Sequence, residues 1–338
     1  MRRFANDSHK QGKTIRPHLV LPLVLFVIIV AIIIILIVHK QIDNNSSLSI
    51  VTRKELSSLS YEGEIAVEVN SNQPFFSEED IQRAAEGGFE RYSELDSLER
   101  CGVSEASVCI DTMPHDGEKR TSMGAVFPSG WQSISFWCRC HLIGWQLTGE
   151  NANEKNLITG TTRMNMSGML PYENSIARYI EENPNNHVLY RVEPLFVGDN
   201  LIASGINLQA ESVEDKGKSI RFNVYVFNCQ PGYIINYKDG TVEDDPEHQT
   251  TITIADKRAR FTGEPIQIDA AKIEGSTGDV RYIYYTDADA KTKTTEADGA
   301  DRNGAAPSFR GRYFARAVVS GDNWYPTAAS NVAELVIY

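Results

Sequence analysis

"RCHLIGWQLTGENANEKNLITGTTRMN", residues 139–165, sets an imidazole beside a guanidinium, breaks two apolar runs with an Asn-rich loop and closes on another Asn. Those residue types suit phosphodiester hydrolysis, which needs a base for water near neutral pH, a cation for the charge developing on phosphoryl oxygens, and donors that hold phosphate. His141 has the intrinsic pKa for the first task. Asn165 is the best candidate for a hard-cation ligand, because a carboxamide oxygen leaves several metal positions to water, and Glu173 can reach the ion directly or through a water. Arg139 and Arg163 offer fork-shaped donors to phosphate. Plainer readings stand beside these: His141 as a hydrogen-bonded strand histidine, Asn151, Asn153 and Asn156 as turn residues, and the arginines as solvated ion-pairing groups.

Working outward, the chain has 338 residues, 41% of them hydrophobic, enough for an anchor and two domains with separate cores. Its net charge of −12 is uneven: six basic groups and one acidic group lie in residues 1–40, eleven and twelve in residues 251–338, which leaves −16 for residues 41–250. So acidic a middle repels a polyanion at long range, and only a local focus of arginines and a bound cation would reverse this at one site.

Leu19–Val38, "LVLPLVLFVIIVAIIIILIV", is an uncharged run of twenty residues. As a helix it spans about 30 Å, one hydrocarbon thickness. Basic residues crowd its N-terminal flank, so the expectation is a cytoplasmic tail over 1–18, an uncleaved single-pass helix over 19–38 and an extracellular remainder anchored in a cell membrane. Residues 39–60 are polar and Ser-rich and read as a stalk.

From residue 61 the pattern is mixed α+β. "GEIAVEVN" alternates as a half-buried strand, and Ser77 with Asp80 caps a short helix through "SEEDIQRAAEGGFERY". "SMGAVF", "SISFW" and "HLIGWQL" are strand candidates, "YENSIARYIEEN" is an amphipathic helix, and "HVLYRVEPLF", "LIASGINLQAESV" and "SIRFNVYVFN" are long antiparallel strands. Residues 241–250 close a charged linker. Beyond it, residues 251–338 hold short strand-like runs split by Gly, Asp and Pro, the pattern of a small β-sandwich. The five cysteines, Cys101, Cys109, Cys138, Cys140 and Cys229, all fall before residue 240. Their spacing fits no zinc knuckle, and buried thiols with at most one disulfide are expected.

Residues 61–240 resemble the DNA/RNA non-specific endonucleases of Gram-positive bacteria, on "RCHLIGWQLTGENANEKNLITGTTRMN", "GMLPYEN", "NHVLYRVEPLF", "DNLIASGI" and "FNVYVFNCQPGYIINY" in the family's order. The resemblance implies a β-β-α metal nuclease core within a mixed antiparallel sheet, and hydrolysis of DNA, with RNA as a second substrate, using Mg²⁺ or Mn²⁺. It implies His141 as general base, Asn165 as metal ligand, Glu173 beside the metal and its waters, Asn156 as a support of the site, Arg139 as the motif arginine and Arg163 as a phosphate contact. Two departures accompany it: Cys138 stands where the family has Asp or Asn, and the approach "PSGWQSISFWCRCHLIG" is short. The alternative is an impaired or inactive surface protein that binds nucleic acid or another extracellular ligand. Residues 251–338 resemble bacterial Ig-like modules, on "DVRYIYYTDADAKT" and "GAAPSFRGRYFARAVVSGDNWYPTAASNVAELVI", which implies a spacer or a contact for a surface partner.

Overall fold

The computed structural model describes residues 55–338 except Asp116. The expected membrane helix and most of the stalk lie outside the described residues. Within them, no helix is long and apolar enough to cross a membrane.

The first strand of the described residues is β1 (Ala66–Glu68), and helix α1 (Glu78–Ala85) comes after it. As the sequence suggests, the Ser77 hydroxyl accepts the Asp80 N–H while the Asp80 carboxylate accepts the Ser77 N–H, satisfying two donors the helix end would otherwise leave bare. The helix is shorter than expected: Gly87, at φ 145°, breaks it, and "FERY" becomes strand β2 (Phe89–Tyr92). Strands β3 (Ser104–Val108), β4 (Trp137–His141) and β5 (Leu157–Thr161) follow, with a one-turn helix α2 (Trp145–Thr148) between the last two. A π turn (Met164–Met169) then runs into helix α3 (Leu170–Glu182), and β6 (Val188–Leu195), β7 (Gly205–Ser212) and β8 (Arg221–Phe227) complete the larger sheet.

That sheet is antiparallel, in the order β1-β8-β7-β6-β3-β2. The hairpin β4–β5 forms a separate ribbon, and with α3 it gives the β-β-α arrangement. One core joins the two layers: Cys140, Leu142, Ile158 and Met164 from the hairpin side and Ile176 and Ile180 from α3 pack with Tyr190, Leu208 and Val224 of the sheet. Burying such a face, rather than helix propensity, holds a thirteen-residue helix in place. Gly160 of β5 belongs to the same fit, since a Cβ there would stand 2.3 Å from the Met164 methyl and 2.7 Å from the Cys140 sulfur.

Three expected strands are absent. "SMGAVF" and most of "SISFW" are loop, and "HLIGWQL" is the end of β4 followed by α2. Short apolar runs carry no periodicity that separates a strand from a buried turn. All five thiols are free.

Residues 241–250 make ordered contacts on both sides. Strand β10 (Thr241–Asp244) pairs with β9 (Tyr233–Asn236), and the His248 ring stacks on Trp324 at 5.5 Å. The C-terminal strands are β11 (Thr251–Thr253), β12 (Lys257–Ala259), β13 (Lys272–Glu274), β14 (Val280–Tyr285), β15 (Gly311–Val319), β16 (Ala328–Ala329) and β17 (Ala333–Ile337). A two-stranded sheet, β11–β13, and a five-stranded sheet around β15 share one apolar core that includes Ile252, Tyr284, Ala315 and Leu335. Leu56–Tyr338 form one compact unit. At the junction Trp324 packs edge-on against Tyr61 at 5.2 Å, and the Tyr61 hydroxyl donates to the Asn323 carbonyl.

Candidate active site

The hairpin, the π turn and the first turn of α3 converge on one cleft of about 600 Å³, lined among others by Arg120, Arg139, His141, Gly144, Asn165 and Glu173. His141 is the last residue of β4, opposite Leu157. The chain leaves the strand in a turn clamped by Asn156, fully buried, whose carboxamide accepts the Ile143 N–H and donates to the Ile143 carbonyl, each at 2.9 Å. This bidentate clamp orients Gly144, whose N–H donates to Glu173 Oε1 at 2.9 Å.

The hydrogen bonds of His141 determine its tautomer. Nε2 lies 2.9 Å from the Asn151 carbonyl, which can only accept, so Nε2 carries the proton. Nδ1 lies 2.9 Å from Arg120 Nη2, which can only donate, so Nδ1 is unprotonated and accepts through its lone pair. Burial, and secondarily the positive charges of Arg120 and Arg139, lower the imidazole pKa to about 4 against a partial gain from the Asn151 carbonyl, so the ring is neutral at pH 7. The folded pKa lies below the unfolded value, so the folded state binds fewer protons and this contribution to stability is complete above about pH 6.5 and lost as pH falls through about 4. Thermal midpoints measured from pH 7 to 4 are therefore expected to fall less steeply in His141→Asn than in the parent; equal slopes would show that His141 is not buried in the neutral form.

Glu173 is the counterpart on α3. Burial pushes its carboxyl up to about 7, opposed by the Gly144 N–H and by the Arg120 charge. Gly144 permits the approach: a Cβ on it would lie 2.6 Å from Glu173 Oε2. Asn165, half-buried, sits in the π turn, where the i→i+5 pattern from its carbonyl to the Leu170 N–H widens the helix at the cleft. Among the described residues no three His, Cys, Asp or Glu side chains cluster as a metal cage. The cleft offers the Glu173 carboxylate and the carboxamides of Asn165 and Gln146 instead, the latter donating through Nε2 to Asn174 Oδ1.

The two arginines expected at phosphate have different fates. Arg139 lines the cleft, with Nη1 donating to the Gly124 and Val126 carbonyls, both at 2.9 Å. Arg163 does not line it. Its guanidinium turns to the C-terminal junction, with Nη2 donating to Asn323 Oδ1 at 2.8 Å, because the polar loop after β15 presents acceptors that an isolated reading of residues 139–165 could not include. Arg120 was missed: it lies in an irregular segment with no periodicity, and only folding brings its Nε to 2.9 Å from Asn151 Oδ1 and its Nη2 to His141. Asn151, read as a turn residue, also donates to the Thr121 carbonyl at 2.6 Å and so fastens that segment over the cleft. Cys138 lies in the same cleft, its thiol 3.2 Å from the Thr162 hydroxyl. Contact with the Cys140 thiol, against its burial, lowers its pKa to about 6.

Comparison with known proteins gives this constellation its context. Residues 79–214 match the DNA/RNA non-specific endonuclease family. A curated deoxyribonuclease of Streptococcus dysgalactiae subsp. equisimilis is 34% identical over 104 residues, which are 30% of this chain and 31% of that protein; the match thus spans about a third of the relative's length. Among solved structures, NucA from Streptococcus agalactiae with magnesium ion bound is similar over 53% of this chain and 86% of its own, at 23% identity and a TM-score of 0.46. The Sda1 nuclease with bound zinc ion covers 46% and 81%, at 25% identity and a TM-score of 0.42. By the family match and the curated relative, residues 79–214 are a domain of the DNA/RNA non-specific endonuclease family.

Proposed function

We propose that the protein is a divalent-metal-dependent endonuclease that hydrolyses phosphodiester bonds in DNA, and in RNA as a second substrate. The observation that carries this reading is a neutral histidine with an unprotonated Nδ1, held by Arg120, in the same cleft as a buried carboxylate and a carboxamide. His141 Nδ1 takes the proton of the attacking water, while the Nε2–H bond to the Asn151 carbonyl holds the ring in that tautomer and supports the imidazolium that results. Arg120 must release Nδ1 for this step, and a phosphate oxygen is the acceptor that compensates its guanidinium.

The residues present fit a hard cation. Glu173 is a buried carboxylate with Oε1 bonded to a backbone N–H and its pKa raised by burial, the state a neighbouring cation would relieve. Asn165 adds a neutral oxygen, and so small a donor set leaves most of the coordination to water, as Mg²⁺ or Mn²⁺ prefers. When bound, such an ion supplies charge neutralisation at the phosphoryl and leaving oxygens. Gripping the sugar-phosphate backbone implies little sequence preference.

The span Leu19–Val38 and its basic N-terminal flank support an anchored, outward-facing enzyme, with residues 251–338 as an Ig-like spacer or contact module. Purified full-length protein is expected to nick supercoiled plasmid in Mg²⁺ and to stop when EDTA is added. A folded, Mg²⁺-supplied chain that leaves plasmid intact would overturn the enzymatic reading in favour of a binding protein.

A further inference from the structure

Beside the cleft lies a second feature that phosphodiester hydrolysis itself does not require. Phe127 and Trp131 stack with centroids 6.0 Å apart and planes 28° from parallel, and Phe127, 57% exposed, turns much of its ring to solvent. Arg139 places its guanidinium carbon 5.3 Å from the Phe127 centroid and 6.0 Å from that of Trp131. The same arginine lines the candidate active site, so the aromatic pair and the cleft are joined through one side chain. We propose that Phe127 and Trp131 form a stacking platform for an unpaired nucleobase of the strand being cut, giving the enzyme a preference for single-stranded or locally opened nucleic acid. The inference rests on the nucleic-acid reading of the adjacent cleft and names the form of substrate it takes.

The platform is held rigidly, as a stacking surface must be to offset the ordering cost of its ligand. Thr159, directly opposite Arg139 in the hairpin, donates its hydroxyl to the Ser129 carbonyl at 2.8 Å, and the Ser129 hydroxyl donates to the Leu201 carbonyl at 2.7 Å. Gln132 Nε2 donates to the Asp239 carbonyl on the far side. The depression walled by both rings has Glu99 as the charged residue of its lining. A carboxylate disfavours a phosphate there, whereas a neutral base meets a π face and a fixed cation, the combination that binds successive bases of single strands. In an intact duplex the base faces are covered by their neighbours, so a protein ring can stack on one only after the base is unstacked.

The test compares binding of two equally charged probes to the full-length protein in EDTA, where no cleavage intervenes: a dodecameric oligothymidylate and an abasic strand of the same length. Fluorescence anisotropy is expected to give about tenfold tighter binding of the base-bearing strand, the scale of one base–aromatic stack. Phe127→Ala and Phe127→Leu should each remove most of that difference while binding the abasic strand as the parent does; the leucine variant retains apolar bulk and removes only the π face. Equal affinity of the parent for both probes, or an undiminished preference in both variants, would overturn the platform. Plasmid cleavage in Mg²⁺ by the same parent preparation separates the two claims: equal probe affinities with cleavage intact sink the platform alone, whereas neither binding nor cleavage sinks the nuclease reading with it.

Discussion

Replacing His141 with alanine is expected to lower the rate of plasmid cleavage by at least about 10²-fold, the scale of a lost general base. The structure makes the reason specific. In the described residues His141 is held neutral with its proton on Nε2, and its Nδ1 lone pair points to Arg120 in the cleft. Alanine removes that lone pair while leaving Asn165, Glu173 and Arg139 in place, so substrate binding should persist and kcat should carry the loss. The variant also leaves the Asn151 carbonyl without its imidazole donor, which is why rates must be compared after circular dichroism shows equal folding at the assay temperature. Unchanged cleavage by a folded His141→Ala protein would sink the assignment of the base, whatever the metal requirement.

Gly144→Ala is expected to raise the Mg²⁺ concentration needed for half-maximal cleavage by about 10- to 100-fold, the range seen when groups behind a metal ligand are disturbed. The backbone of Gly144 is ordinary, at φ −62° and ψ 144°, so alanine suffers no conformational strain there. The conflict is steric: the new methyl would lie 2.6 Å from Glu173 Oε2 and 2.8 Å from Oε1, and Glu173 is buried. The carboxylate must move off the Gly144 N–H, and overpacking of this kind costs about 1–3 kcal/mol. Mg²⁺ titrations of cleavage, with thermal melts alongside, check both parts. A wild-type Mg²⁺ requirement in Gly144→Ala would mean that the position of Glu173 does not matter to the ion, and Asn165 would then be left as the cleft's candidate ligand.

Much of the architecture was legible from local chemistry. The Ser77–Asp80 cap, α3 and the three long strands β6, β7 and β8 follow from capping geometry and from periodicity sustained over many residues, which few other structures satisfy. His141, Asn165 and Glu173, which line one cleft, stand out as candidates because an imidazole, a carboxamide and a carboxylate around an Asn-rich loop are unusual demands on a core. Tertiary structure decided what depends on residues distant in the chain. Arg120 lies twenty-one positions from His141 yet meets its Nδ1, and Arg163 is drawn to Asn323, 160 positions away. The hairpin strand Trp137–His141 was hidden because its partner, Leu157–Thr161, supplies the hydrogen bonds that define it. A side chain's type can be read one residue at a time, whereas the direction in which a guanidinium or an imidazole points is set by the nearest acceptors after folding, and those are chosen by packing across the whole unit.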